Sequence, residues 1–181
     1  GPAPVSWVPL FVQDVLILAN PHFAHYCVLG YLVIIVISVV MGGHVTIGNY
    51  ARVMGSAAIH QFVRIGHAAL VGGVAGVEAD VIPYGSVLGN RARLIGLHWI
   101  WLRRNGVQSA EIQLMRKAFF TLYPKVCGDV SFQARLAHVR ETFAGNARIK
   151  EILDFIDAPS HRGLVRPARG GAADQAETEG A

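Results

Sequence analysis

Five of the eight histidines, His22, His25, His44, His60 and His67, stand within the first 67 residues of a 181-residue chain. Imidazole exchanges its proton near neutral pH, so such a cluster suggests general acid–base work. The spacing sharpens this. His25, Gly43 and Gln61 are 18 residues apart, with His44 one place beyond Gly43 and His60 one place before Gln61. If 18 is a structural period, a base, a backbone N–H unshielded by any side chain and an amide share a ladder about 10 Å tall. Acyl transfer needs such a set: a proton acceptor beside the attacking hydroxyl and a donor for the oxyanion. Two other readings stay open. The imidazoles could face solvent or satisfy nearby carbonyls, or imidazoles of neighbouring subunits could hold zinc. No carboxylate stands close in sequence to orient such ligands, and no metal is assigned.

The elements that would hold this column repeat every six residues. Ile47, Val53, Ile59, Ile65, Val71 and Val77 form one register, and it extends backwards through Met41, Ile35, Leu29, Phe23, Ile17 and Phe11 to Val5. Six matches neither the helical period of about 3.6 nor the strand period of 2. One short strand plus a corner takes six residues, and three such sides close a triangular coil of 18, as in a stacked solenoid. The fold class is therefore a left-handed parallel β-helix of hexapeptide repeats, with a small helical domain behind it. Gly30, Gly48 and Gly66 form a column expected to serve corners whose backbone angles side chains resist. About five coils fit before the register fades past Pro83 through Gly89-Asn90.

We expect a ragged start or partial coil over 1–14, the β-helix over 15–96, a helical domain over 97–166 and a disordered tail over 167–181. His98–Arg104 is an amphipathic turn or two. Ser109 is the expected N-cap of a helix carrying Ile112, Met115, Phe119 and Leu122, and Pro124 ends it. Phe132, Leu136, Val139 and Phe143 mark a second helix; Ile149, Ile152, Leu153 and Ile156 mark a third. Helices behind a solenoid can cap its open edge.

Composition narrows the function. A net charge of +4 and a pI near 9.4 suit an acidic partner, but no basic run interleaves with aromatics, and no nucleic acid is expected. Cys27 and Cys127 make no disulfide framework and read as buried free thiols. No charged residue lies between Asp14 and Arg52, and Tyr26–Gly43 is apolar enough to span a bilayer. Its β-branched residues and hexad phase argue for strands, so no integral membrane span is expected. Gly1-Pro2 suggests a cleaved or truncated start.

Several stretches together carry a resemblance: His22 to Cys27, Gly43 to Gly48, Ile59 to Phe62, Val71 to Val77, Gly89-Asn90, Leu102 to Gly106 and Arg162 to Arg166. They resemble the acyl-(acyl-carrier-protein)–UDP-N-acetylglucosamine O-acyltransferase family, which catalyses the first step of lipid A biosynthesis. The resemblance spans roughly residues 15–167. It implies a cytoplasmic homotrimer without cofactors, with active sites in the clefts between neighbouring β-helices. The 3-hydroxyacyl chain would pass from acyl carrier protein to the 3-hydroxyl of UDP-N-acetylglucosamine. His25 matches the general base and Gly43 the oxyanion donor. His22, His44, His60, Gln61 and Arg104 match substrate contacts, and Gly73 matches the position that sets acyl-chain length. The family usually has Asp directly after the base, where this chain has Tyr26, and the solenoid has about half the family's coils. A catalytically impaired or truncated trimeric scaffold of the same family is the alternative reading.

Overall fold

A computed structural model describes residues 14–125 and 129–168. Every described side of the solenoid is a two-residue strand followed by a corner. The strands are β1 (Leu16–Ile17), β2 (His22–Phe23), β3 (Val28–Leu29), β4 (Ile34–Ile35), β5 (Val40–Met41), β6 (Thr46–Ile47), β7 (Arg52–Val53), β8 (Ala58–Ile59), β9 (Arg64–Ile65), β10 (Leu70–Val71) and β11 (Gly76–Val77). Every strand from β1 to β8 pairs in parallel with the strand three places on: Leu16 with Ile34, Ile34 with Arg52 and Arg52 with Leu70 along one face, for example. The partners differ by 18 in number, so the hexad register is a column of stacked coils. About four coils are described. They form a left-handed parallel β-helix with three flat faces.

Two positions per hexad point inward. The register residues Ile35, Met41, Ile47, Val53, Ile59, Ile65, Val71 and Val77 are buried, and so are the residues two places before them, from Val33 through Val39, Val45, Ala51, Ala57, Val63 and Ala69 to Ala75. The alternation follows from strand geometry, in which residues two apart share a face. Burying each Val or Ile contributes about 1.5–3 kcal/mol, so the apolar axis holds the coils together. Tyr26–Gly43, the stretch long enough for a membrane helix, runs through β3, β4 and β5. No helix among the described residues is long and apolar enough to cross a membrane. Cys27 is buried on this axis, its Sγ 3.3 Å from the carbonyls of Ala24 and Gly42; Cys127 lies outside the described residues.

The corners correct one expectation. Left-handed backbone does recur every six residues, at Asn20, Tyr26, Leu32, Ser38, His44, Tyr50, Ser56, Phe62, Ala68 and Val74, with φ between 51° and 63°. None of these is glycine. A left-handed L-residue costs about 1–2 kcal/mol. Here its N–H is donated to the corner one coil below, as from His44 to His25 O (3.1 Å), Tyr50 to Tyr31 O (3.0 Å) and Phe62 to Gly43 O (3.0 Å). The Gly30, Gly48, Gly66 column answers to close approach instead. A β-carbon there would lie 2.3 Å from Asn49 Oδ1, 2.7 Å from His67 N and 2.3 Å from Pro83 N respectively.

Above β11 the repeat shortens by two. Ile65 bridges Val81 and Leu70 pairs with Ser86, 16 residues on, which is why the hexads fade near Pro83. Strand β12 (Gly85–Leu88) then turns back antiparallel into β13 (Arg93–Leu97). Four helices follow: α1 (Trp99–Arg104), α2 (Ser109–Leu122), α3 (Phe132–Thr142) and α4 (Ala147–Asp157). Ser109 is the first residue of α2 and Gln108 is its N-cap, without a side-chain cap bond. Ser131 and Asn146 cap α3 and α4, accepting from Ala134 N and Ile149 N. Ile112, Met115, Phe119, Leu122, Leu136, Val139, Ile149 and Leu153 form the buried helical core. Most of the expected disordered tail, residues 169–181, lies outside the described residues, as do 1–13 of the expected ragged start.

Candidate active site and family relationship

The three edges of the solenoid carry the candidate residues. The first edge runs through Ile37-Ser38, Gly55-Ser56 and Gly73-Val74. The second runs through His25-Tyr26, Gly43-His44 and Gln61-Phe62, and the third through Tyr31-Leu32, Asn49-Tyr50 and His67-Ala68. Coil stacking thus brings His25, Gly43 and Gln61 into the column that their spacing predicts. The His25 imidazole lies against Gly43: a β-carbon on Gly43 would sit 3.5 Å from His25 Nε2 and 3.2 Å from His25 O. Among the described residues the Gly43 amide donates to no protein acceptor, as is usual at the first turn residue of these corners. An exposed imidazole nitrogen and an uncommitted N–H therefore stand side by side at the protein surface.

One place further along each turn, a second column is entirely aromatic. Tyr26 stacks on His44 (ring centroids 5.1 Å, interplanar 19°), and His44 stacks on Phe62 (4.9 Å, 12°). His161, from the segment after α4, continues the line at 5.4 Å from Phe62. His25 meets Tyr26 and His44 edge-on, at 5.5 and 5.9 Å. Among the described residues, ring packing rather than a carboxylate thus orients this imidazole. His161 was missed in the sequence, as was the aromatic column, although the arithmetic that links 25, 43 and 61 also links 26, 44 and 62. The Arg162 guanidinium donates through Nε to Gln61 O (3.0 Å), drawing the same returning segment over the second edge. His22 and His60 are exposed on the adjoining face, in β2 and directly after β8, and His60 Nδ1 lies 3.5 Å from Gln61 O.

The remaining two candidates lie elsewhere on the chain. Arg104 is exposed in the last turn of α1, the helix whose Trp101 packs on Tyr50, His67 and Tyr84 at the third edge. Gly73 is exposed on the first edge, and a β-carbon there would meet only Gly55 O, at 3.5 Å. A single chain does not bring Arg104 or Gly73 beside His25.

Above the second edge sits a fully buried carboxylate. Asp80 accepts from Arg64 N (2.8 Å), Arg64 Nε (2.7 Å) and Ser160 Oγ (2.7 Å). Its backbone bonds Gly163 O and Val165 N, each at 2.8 Å. The residue thus fastens the C-terminal segment, with His161 and Arg162, to the last coil.

Hexad coils with a histidine-lined edge and a helical C-terminal part define a hexapeptide-repeat left-handed β-helix protein. The family model described as UDP N-acetylglucosamine O-acyltransferase, domain 2, matches residues 80–165. The chain is 40% identical over 156 residues to the acyl-(acyl-carrier-protein)–UDP-N-acetylglucosamine O-acyltransferase of Sinorhizobium fredii, covering 86% of this chain and 57% of that protein. It is 38% identical over 159 residues to the Agrobacterium fabrum protein of the same name, covering 87% and 58%. The solved UDP-N-acetylglucosamine acyltransferase of Arabidopsis superposes with a TM-score of 0.80 at 30% identity, covering 85% of this chain and 56% of that one. Over its matched residues the chain is thus a homologue of the UDP-N-acetylglucosamine O-acyltransferases, and it spans just over half the length of these relatives.

Proposed function

We propose that the chain transfers a 3-hydroxyacyl group from acyl carrier protein to the 3-hydroxyl of UDP-N-acetylglucosamine, the opening step of lipid A biosynthesis. The observation that carries this reading is the placing of His25 Nε2 against Gly43, supported by the kinship to acyltransferases of that name. In this mechanism His25 takes the proton of the sugar hydroxyl as its oxygen attacks the thioester carbonyl. The Gly43 N–H stabilises the oxyanion. The C–S bond then breaks and the proton passes to the departing thiolate, leaving the ester. His22, His44, His60 and Gln61 surround this position on the second edge and would hold the nucleotide sugar or the thioester arm. No cofactor is required.

A homotrimer fits the wide separation of Arg104 and Gly73 from His25, because a neighbour's edge can supply what one chain cannot. Exposed Leu16, Leu18, Ile37, Val40, Met54 and Val74 offer apolar surface for it. The open space at Gly73 supports a groove for the acyl chain, where each buried CH₂ adds about 0.8 kcal/mol. Gly73→Met should shift preference towards shorter 3-hydroxyacyl donors, read by competition between short and long thioesters. An unchanged ratio in a folded, active variant contradicts the groove. The reading assigns the reaction to the cytoplasm, where acyl carrier protein and the nucleotide sugar would meet the chain.

Transfer from 3-hydroxyacyl carrier protein to UDP-N-acetylglucosamine by the purified chain is the test. His25→Ala should lower the rate by about 10²–10⁴-fold, the usual loss with a general base. Full activity in that variant would remove His25 from the role. A second reading, an impaired or truncated trimeric scaffold, draws on Tyr26 beside the imidazole in place of a carboxylate. It predicts a trimer with no transfer in the parent chain.

A further inference from the structure

Between the last coil, the β12–β13 connection and the returning C-terminal segment lies a cleft of about 270 Å³. Three arginines, Arg91, Arg93 and Arg166, and one carboxylate, Glu78, line it. Its frame is fixed by backbone bonds from Ala92 N to Gly76 O (2.8 Å) and from Leu94 N to Arg166 O (3.2 Å). Arg91 takes the left-handed conformation, φ 67°, which turns the chain at the mouth. The Arg166 guanidinium lies over Phe132, 5.6 Å from its ring centre, and Arg135 approaches the same ring at 5.8 Å.

Among the described residues, the cleft gathers three arginines without carboxylate partners into one small concavity. Arg64, Arg140 and Arg148 each find a carboxylate, in Asp80, Asp157 and Glu111. Arg91, Arg93 and Arg166 find none among the described residues, and Glu78 beside them is likewise unpaired. Three positive residues and one negative line the cleft, and their formal charges sum to +2. A phosphate monoester carries about −1.5 to −2 at neutral pH, and the planar guanidinium fork matches its oxygens two at a time. We propose that this cleft binds a phosphoryl group, as free phosphate or as the phosphate ester of a small molecule. None of its lining residues belongs to the His25 column or to the edges described above, so the site is separate from the acyl-transfer centre and stands or falls without it.

The test is titration of the full chain with inorganic phosphate and, separately, glycerol 3-phosphate, at ionic strength held constant with sodium chloride. Binding is read by ³¹P line broadening and by melting temperature. Saturable binding is expected, weakened about tenfold or more in Arg93→Gln and in Arg166→Gln, as loss of one charge-assisted contact implies. The Arg140→Gln variant on α3 loses the same charge elsewhere and should bind like the parent. Tighter binding of the ester than of free phosphate would identify an esterified ligand, and the reverse would identify phosphate itself. A response that does not saturate, that survives in Arg93→Gln, or that falls equally in Arg140→Gln overturns the proposal.

Discussion

Two edges of one solenoid carry a histidine at the same turn position, His25 on the second edge and His67 on the third, and their surroundings diverge. His67 is packed among Tyr50 (5.5 Å), Tyr84 (5.2 Å) and Trp101 (5.7 Å), and its Nδ1 pairs with Glu151 of α4 at 3.0 Å. Tyr84 donates its hydroxyl to the same carboxylate. His25 meets Tyr26 and His44 edge-on, lies against Gly43, and bonds no protein group through either nitrogen among the described residues. The difference comes from the C-terminal part. Helices α1 and α4 cover the third edge and commit its imidazole to structure, whereas the second edge is met, among the described residues of the C-terminal part, by His161 and Arg162. Repeat arithmetic builds equivalent corners, and the cap decides which of them stays open to solvent.

The largest effect should come from loosening the segment that carries His161 and Arg162. Asp80→Ala strands Arg64 in a partly buried position, and breaking a buried pair by removing one member costs about 3–5 kcal/mol. Denaturant unfolding should show that loss. A change under about 1 kcal/mol would mean that the segment is held by other contacts.

Next in size is the contrast between glycines. Gly66→Ala would force a β-carbon to 2.3 Å from Pro83 N and should cost about 1–3 kcal/mol through overpacking. Gly73→Ala meets nothing closer than 3.5 Å and should stay within about 0.5 kcal/mol of the parent. Equal melting temperatures for the two variants would contradict the close-approach explanation of the glycine column.

The smallest effect concerns pH at the third edge. Burial pushes the Glu151 carboxyl up, but hydrogen bonds from His67 and Tyr84 outweigh it and hold the group below its ordinary 4.5. Stability from this shift is present at neutral pH and is lost as pH falls through the lowered value. Melting temperatures measured from pH 7 to pH 3 should therefore fall more steeply in the parent than in Glu151→Gln. Among the described residues no carboxylate pairs with an imidazole of the second edge, and Tyr26→Phe should leave the acid profile unaltered. Parallel curves for parent and Glu151→Gln would dissolve the distinction between the edges.

Much of this was legible in residue spacing. The column Ile47 to Val77 reports the coil, because a three-sided solenoid stacks every eighteenth residue whatever its side chain. The same count places Gly43 over His25. The reason for each glycine was not legible: spacing cannot tell a residue chosen for its φ from one chosen because the next coil passes 2.3–2.7 Å from a would-be β-carbon. Nor could it show the two-residue contraction above β11, where the Asp80 side chain takes up the Arg64 N–H. The fates of His25 and His67 depend on Trp101 and Glu151, which are distant in sequence and arrive through helix packing that no hexad encodes.

The most direct measurement compares His25→Ala with His67→Ala, each assayed for acyl transfer and for melting temperature. An open histidine used in chemistry and a buried-edge histidine used in structure should separate cleanly. His25→Ala should lose about 10²–10⁴-fold in transfer with its melting temperature unchanged. His67→Ala should melt several degrees lower, as the loss of about 1 kcal/mol implies, and keep most of its rate at a temperature where it is folded. Equal activity losses in the two variants, or a His25→Ala protein as active as the parent, would contradict the assignment of the second edge as the catalytic one.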